Sequence, residues 1–268
     1  MKFFLAPMQG LTGYTVRNAF HHHFDYIDKY YTPFIPAAKR MNAKIKRDID
    51  PVNNDGITLI PQAMSIVADE VIDLHRQLVP YGYDEINVNL GCPSGTVVSK
   101  KRGSGILAYP DMLDSFLDDL YTKADFPVSI KTRVGFNDDE LWPRLIEIYS
   151  KYPISELTVH PRVQKDFYKN TPRMDDFALA MQKINPDKTI LCYNGDITDI
   201  NSFNALTDCF PDIDEIMIGR GLFANPALIA ELKGISMDKA ELRERLKNWH
   251  DEILSGYLSI FSGEKDAI

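Results

Sequence analysis

Eight short runs rich in β-branched and aromatic residues recur through the first 219 positions, separated by segments with helical spacing of apolar residues. The runs are FFLAPM (3–8), YIDKYYT (26–32), GITLIPQ (56–62), DEINVNL (84–90), PVSIKTR (127–133), SELTVHP (155–161), KTILCYN (188–194) and DEIMIG (214–219). Several are apolar at nearly every position, as strands buried on both faces are. The intervening pattern predicts helices over 13–22, 66–79, 111–123, 138–151, 174–184, 199–209 and 225–232, while 38–50 carries no clear period. Asp111 behind Pro110, and Asp138 and Asp139 ahead of Glu140, fit helix starts. Strands alternating with helices imply βαβ units and a parallel sheet, and eight such units predict an α/β fold of the (β/α)8 TIM-barrel type over an open doubly wound sheet.

After Gly234 the period changes. Ser236 fits an N-cap, and Leu242, Leu246, Trp249, Ile253, Tyr257 and Phe261 recur at spacings of three or four. This predicts one long amphipathic helix outside the barrel repeat, packed on the barrel or opening a helical domain. The expected division is a barrel domain over 1–233 and a C-terminal helical segment over 234–268.

Composition narrows the class. The 268 residues are 44% hydrophobic and 25% charged, ordinary for a globular chain of one barrel's length. The opening MKFFLAPMQG has a short apolar run broken at Pro7, too short for a secretory signal, and no apolar stretch is long enough to span a bilayer. Cys92, Cys192 and Cys209 show no paired spacing, so no disulfide scaffold and no metal site are expected, and the cytoplasm is the expected compartment. Cys192 in an apolar strand and Cys209 in an apolar helical stretch read as packing residues. A net charge of −8 argues globally against nucleic acid. Its distribution qualifies this: Lys39, Arg40, Lys44, Lys46 and Arg47 form one basic run and Lys100, Lys101 and Arg102 another, with Arg162, Lys165, Lys169 and Arg173 in a third.

Chemistry in such a barrel sits at the C-terminal strand ends. These read APMQG, TPF, PQAMS, NLGCPSG, KTR, HPR, NGD and IGRG, with polar or special residues at nearly every one. The last two, within YNGDI (193–197) and MIGRGLFANP (217–226), are glycine turns leading into helices, where backbone amides approach an anion closely. Arg220 adds a guanidinium suited to phosphate, and the loops after strands seven and eight are the usual phosphate site of this barrel. Lys131 and Arg133 alternate on strand five and so share one direction. With Gln62 and His160 they can offer hydrogen bonds and positive charge to a flat heteroaromatic ring. Cys92 stands at the end of strand four, ahead of a basic, glycine-rich loop.

In this order, APMQGLTGYTVRNAF, NVNLGCPSGTVVSKKRGSGIL, SIKTRVGF, LTVHPR, YNGDI and IMIGRGLFANP resemble the tRNA-dihydrouridine synthases, FMN-dependent flavoproteins that reduce uridine in tRNA. The resemblance runs from residue 6 to residue 226 and departs at Gln9 and Gly13, where many relatives carry a small residue and an Asp. It implies FMN supported at Pro7, Met8 and Gln9, hydrogen-bonded by Gln62 and Lys131, and held at its phosphate by Asn194, Gly195, Asp196, Gly219 and Arg220, with His160 in the flavin or substrate pocket. It implies NADPH as reductant, a uridine flipped into the barrel mouth, hydride delivery to C6 and Cys92 as proton donor to C5. A free cysteine, with a pKa of about 8.5, still holds its proton at neutral pH. Asn89, Lys100, Lys101, Arg102, Arg133, Arg162, Lys39 and Arg40 are the residues expected to meet tRNA, with an affinity that falls steeply with salt. The family usually adds a helical tRNA-binding domain, of which the 35 or so residues after the barrel would be a shortened part. The protein is expected to be a monomer. Two other readings stay open: an FMN barrel reductase acting on a free pyrimidine-like molecule, and a non-catalytic tRNA-binding barrel.

Overall fold

The computed structural model describes residues 1–37 and 40–260, and the predicted Lys39 and Phe261 lie outside the described residues. Among these residues ten strands form one parallel sheet: β1 (Lys2–Leu5), β2 (Lys29–Tyr31), β3 (Ile35–Pro36), β4 (Leu59–Ile60), β5 (Gln62–Met64), β6 (Ile86–Leu90), β7 (Val128–Gly135), β8 (Glu156–Val163), β9 (Ile190–Tyr193) and β10 (Glu215–Ile218). β2 pairs with β4 and β3 with β5, so 29–36 and 59–64 are two neighbouring staves, each broken once. β10 pairs back onto β1, which closes an eight-stave barrel. The breaks fall at Pro33 and Pro61, which lack the N–H a ladder requires. At the gap, Gln62 N–H donates instead to Thr32 Oγ1 at 2.9 Å.

Around the barrel lie α1 (Tyr14–His23), α2 (Ala43–Ile49), α3 (Ala68–Leu78), α4 (Gly95–Val98), α5 (Pro110–Lys123), α6 (Trp142–Tyr149), α7 (Met174–Lys183), α8 (Ile200–Cys209), α9 (Arg220–Ala224), α10 (Leu228–Leu232) and α11 (Lys239–Ile260). α2 occupies the segment without a clear period, started by Asn42, whose Oδ1 accepts from Ile45 N–H at 2.9 Å. The helix expected over 225–232 is α10, which starts only at Leu228, past Pro226, and a further short helix, α9, precedes it. Cys192 is fully buried in β9, but Cys209 is exposed, a correction to its expected packing role. It is the last residue of α8, where the buried face ends at Leu206.

The side chains divide between two cores. The large one fills the space between sheet and helices. The small one, Phe4, Ala6, Tyr31, Ile60, Cys192 and Met217, plugs the barrel's waist. Below the plug, Lys29 pairs with Glu156 at 2.6 Å. Above it the inward positions of successive staves turn polar, and they build the site.

α11 lies on α1. Leu242, Leu246, Trp249, Ile253 and Tyr257 pack against the core, with Trp249 edge-on to Phe20 at 5.3 Å. Glu252 is bracketed by His22 Nδ1 and His23 Nε2, each at 2.8 Å, and a Cβ on Gly256 would lie 2.3 Å from Thr15. Arg17, fully buried in α1, donates to Thr12 O at 2.7 Å, and Thr12 Oγ1 accepts from Met8 N–H at 2.9 Å. The helix layer thereby fixes the loop that carries Met8 into the barrel mouth. Gly13 offers no cap to α1, and Asp48 supplies one from the end of α2, accepting from Tyr14 N–H at 2.7 Å. No helix among the described residues is long and apolar enough to cross a membrane.

Candidate active site

At the C-terminal end of the barrel a cavity of about 410 Å³ opens, a size suited to a cofactor or small ligand. Pro7, Met8, Gln9, Gln62, Asn89, Cys92, Lys131, Arg133, His160, Asn194, Gly195, Asp196, Gly219 and Arg220 all line it. Residues spread over more than two hundred positions meet here because they lie along or just after the staves of the same barrel. Among the described residues no three His, Cys, Asp or Glu side chains are gathered as a metal site.

One wall is a chain of amides. Asn89 Nδ2 donates to Gln62 Oε1 at 2.7 Å, Gln62 Nε2 to Asn87 Oδ1 at 2.8 Å, and Asn87 Nδ2 to Ser129 Oγ at 3.0 Å. This fixes the Gln62 amide and leaves one Nε2 hydrogen for a ligand. Asn87 escaped the sequence reading, although the alternating NVN of the fourth run points it inward beside Asn89.

Opposite stands Lys131, whose Nζ donates to Asn194 Oδ1 at 2.5 Å, while Asn194 Nδ2 donates to Met217 O at 2.8 Å. Burial, reinforced by the Arg133 charge, pulls the Lys131 ammonium down to about 7. Burial also pushes His160 well below the ordinary histidine range, with Arg133, Lys131 and Arg162 acting in the same direction. His160 is therefore neutral. Its Nε2 lies 3.1 Å from Arg162 Nη1, which can only donate, so Nε2 accepts and the proton sits on Nδ1.

The far end of the cavity is built from two tight turns. A Cβ on Gly195 would fall 1.9 Å from Tyr193 Oη, and one on Gly221 would fall 2.1 Å from Ile197 O. Gly195 thus packs under the Tyr193 phenol and Gly221 against the Ile197 carbonyl, leaving Arg220 at the edge of the turns. Arg220 donates to Asp196 Oδ1 at 2.6 Å, and Arg162 pairs with the other oxygen of the same carboxylate. Partial burial raises the Asp196 pKa, but hydrogen bonds and charge from Arg162 and Arg220 outweigh it and hold the group below its usual range. Asp196 thus anchors two arginines and does not itself face an anion as a donor. Gly221→Ala is expected to lower the melting temperature in a thermal-unfolding scan, because an overlap with the Ile197 carbonyl cannot be relieved by side-chain rotation; an unchanged melting temperature would show that the turn can give way.

Cys92 follows β6 on a loop ended by Pro93. Burial raises its thiol pKa, and a backbone hydrogen bond and the Arg133 and Lys131 charges only partly offset that. The thiol is protonated at neutral pH. Over the mouth hangs Tyr168, exposed and missed from sequence despite the aromatic pair in KDFYKN. It sits 6.3 Å from the His160 ring, with Arg220 at 5.1 Å and Arg133 at 5.6 Å.

The predicted tRNA contacts divide. Arg133 and Arg162 are each 1% exposed. Arg133 is spent on Gly91 O, Val163 O and Phe167 O, and Arg162 on Lys169 O, Asn170 O and Asp196. Arg162 does not present its charge at the surface, which corrects its expected place on an RNA-facing rim, while Arg133 lines the cavity. Arg102 pairs with Glu70 at 3.1 Å and Lys101 lies over the Tyr109 ring. Lys100, Arg40, Lys44, Lys46 and Arg47 are exposed and have no ion-pair partner among the described residues.

The family model described as "Dihydrouridine synthase (Dus)" matches residues 4–255. A "Probable tRNA-dihydrouridine synthase" of Staphylococcus aureus is 32% identical over 197 residues, covering 72% of this chain and 56% of the relative. "tRNA-dihydrouridine synthase B" of Pasteurella multocida is 26% identical over 243 residues, covering 87% and 69%. The chain thus spans little more than half the length of the first of these. In fold, a variant of NCR from Zymomonas mobilis superposes with a TM-score of 0.59 at 12% identity, over 92% of this chain and 90% of that one.

Proposed function

The chain belongs to the dihydrouridine synthase family, and from that premise we propose that its barrel mouth reduces uridine in tRNA to 5,6-dihydrouridine. The observation that carries this reading is that a protonated thiol, a buried lysine and two glycine turns with Arg220 line one cavity. Flavin mononucleotide fits the donor set: Gly195, Gly219 and Arg220 suit its phosphate, and Lys131, Asn194 and the free hydrogen of Gln62 suit the polar edge of its ring. When bound and recharged by NADPH, it supplies the hydride that reaches C6 of the uracil.

The chain's own residues do the rest. Lys131, kept cationic by an acceptor on its ligand, stabilises negative charge on the ring it touches. His160, neutral with Nδ1–H, donates a hydrogen bond without adding charge. Cys92 gives its proton to C5, a role that requires the thiol and would fail for a thiolate. Tyr168 offers a stacking face at the mouth for an extruded base. The unpaired cations of 40–47, with Lys100, Lys165 and Lys169, suit the phosphates of the same RNA.

Purified protein is expected to carry a flavin absorption spectrum. Incubated with NADPH and tRNA lacking the modification, it is expected to generate dihydrouridine detectable by nucleoside mass spectrometry, and free uridine should be a far poorer substrate. Equal rates on free uridine would favour a small-molecule reductase, and folded protein without flavin would defeat both.

A further inference from the structure

Gly91, Cys92 and Pro93 together present five backbone hydrogen-bonding groups, since proline has no N–H, and all five are held. Gly91 N–H and Cys92 N–H both donate to Asn89 Oδ1, at 3.1 and 2.9 Å. Gly91 O accepts from Arg133 Nε at 2.9 Å. Cys92 O accepts from Ser104 twice, from N–H at 3.1 Å and from Oγ at 2.8 Å, and Gly103 packs so close that a Cβ would lie 2.7 Å from the same oxygen. Pro93 O accepts from Gln164 Nε2 at 3.0 Å.

The last tether differs from the others. Asn89 and Ser104 belong to the thiol's own strand and loop, and Arg133 to the neighbouring stave. Gln164 reaches across from 71 residues along the chain, in the turn after β8. That turn is itself rigid. Asp166 accepts from Val163 N–H at 3.1 Å and pairs with Arg173, Arg133 donates to Val163 O and Phe167 O, and Arg162 donates to Lys169 O and Asn170 O. Gln164 is not among the residues that line the cavity.

We propose that Gln164 is a positioning residue, fastening the Cys92 loop to the turn after β8 so that the thiol is held at one depth over the cavity. The inference rests on the proposed function only in reading that thiol as the proton donor. The residue type fits the task. A lysine or arginine here would also donate to Pro93 O, but it would add a cation to those of Arg133 and Lys131, whose charges already act to lower the thiol pKa. A neutral amide supplies the hydrogen bond without that cost.

The test is the rate at which iodoacetamide alkylates Cys92 in flavin-loaded protein, read by peptide mass spectrometry. A Cys209→Ser background removes the exposed thiol, and Cys192 is buried. Gln164→Leu is expected to speed alkylation about fivefold, the effect of one net hydrogen bond on the loop's opening equilibrium. The pH at which alkylation reaches half its maximum should fall as the thiol gains solvent. Flavin content and the rate of flavin reduction by NADPH should be unchanged, while uridine reduction slows. Should the leucine variant misfold, Gln164→Met removes the donor from the same half-buried position without adding charge and is read in the same way. Alkylation rate and pH profile equal to the parent's in a folded variant would overturn the proposal. If Cys92→Ala keeps turnover while Gln164→Leu still alkylates faster, the fastening stands and the proton-donor reading fails.

Discussion

Cys92→Ala is expected to slow uridine reduction by about two to four orders of magnitude, the range over which a positioned general acid contributes, while flavin binding stays at the parental level. The second half follows from geometry. The loop's backbone is tethered by Asn89, Ser104, Arg133 and Gln164, none of which bonds through the thiol. Stopped-flow separation of the steps makes the test specific: NADPH should bleach the flavin at the parental rate, and added tRNA should reoxidise it slowly. Turnover within threefold of the parent would remove Cys92 from the mechanism. The pH dependence has a definite sign. Burial raises the thiol above its ordinary range, with neighbouring charges only partly compensating, so proton donation persists through neutral pH. It declines as pH rises through that raised pKa, and the Ala variant should lack this alkaline limb.

Lys131→Met is expected to weaken flavin mononucleotide binding by about one to two orders of magnitude, corresponding to the roughly 1.5–3 kcal/mol of a charge-assisted hydrogen bond. Titration by flavin fluorescence quenching measures it. With the cavity empty, burial and the Arg133 charge bring the ammonium down to about 7. A bound acceptor raises it, because it favours the charged form. Affinity is then greatest below about 7, where the amine is already protonated, and falls as pH climbs towards the bound-state pKa. The methionine variant has no amine to titrate, so the parent-minus-variant difference in log affinity should shrink as pH rises. A difference independent of pH between 6 and 9 would show that Lys131 is not the group in contact.

Much of this site is legible in one dimension because the barrel puts every strand's C-terminal end at the same mouth. Cys92, Lys131, His160, Asn194 and Arg220 are far apart in sequence, yet each lies within or just after a different stave, so eight alternations of strand and helix suffice to gather them. The two glycine turns are legible for the same reason, and the structure adds why a side chain is excluded there: the Tyr193 phenol fills the space beside Gly195 and the Ile197 carbonyl that beside Gly221. The chain's periodicity likewise foretells the apolar stripe of α11, but α1 as its partner emerges only when the barrel is wound.

Charge and tethering lie beyond that reach. Arg133, Arg162 and Arg102 look like rim cations when counted along the chain. Burial and the carbonyls of 167–170 claim the first two, and Glu70 claims the third, because an arginine's use depends on which acceptors fold beside it. Gln164 has no sequence signature at all: its carbonyl partner at Pro93 is a distant backbone atom, and any residue would present one. The sequence by itself determined the barrel, the strand ends and the reacting residue types, since these follow from periodicity and local chemistry. Only the tertiary structure decided which cations stay free, which residues hold the thiol and which tautomer His160 adopts, since those depend on desolvation and on contacts between distant staves.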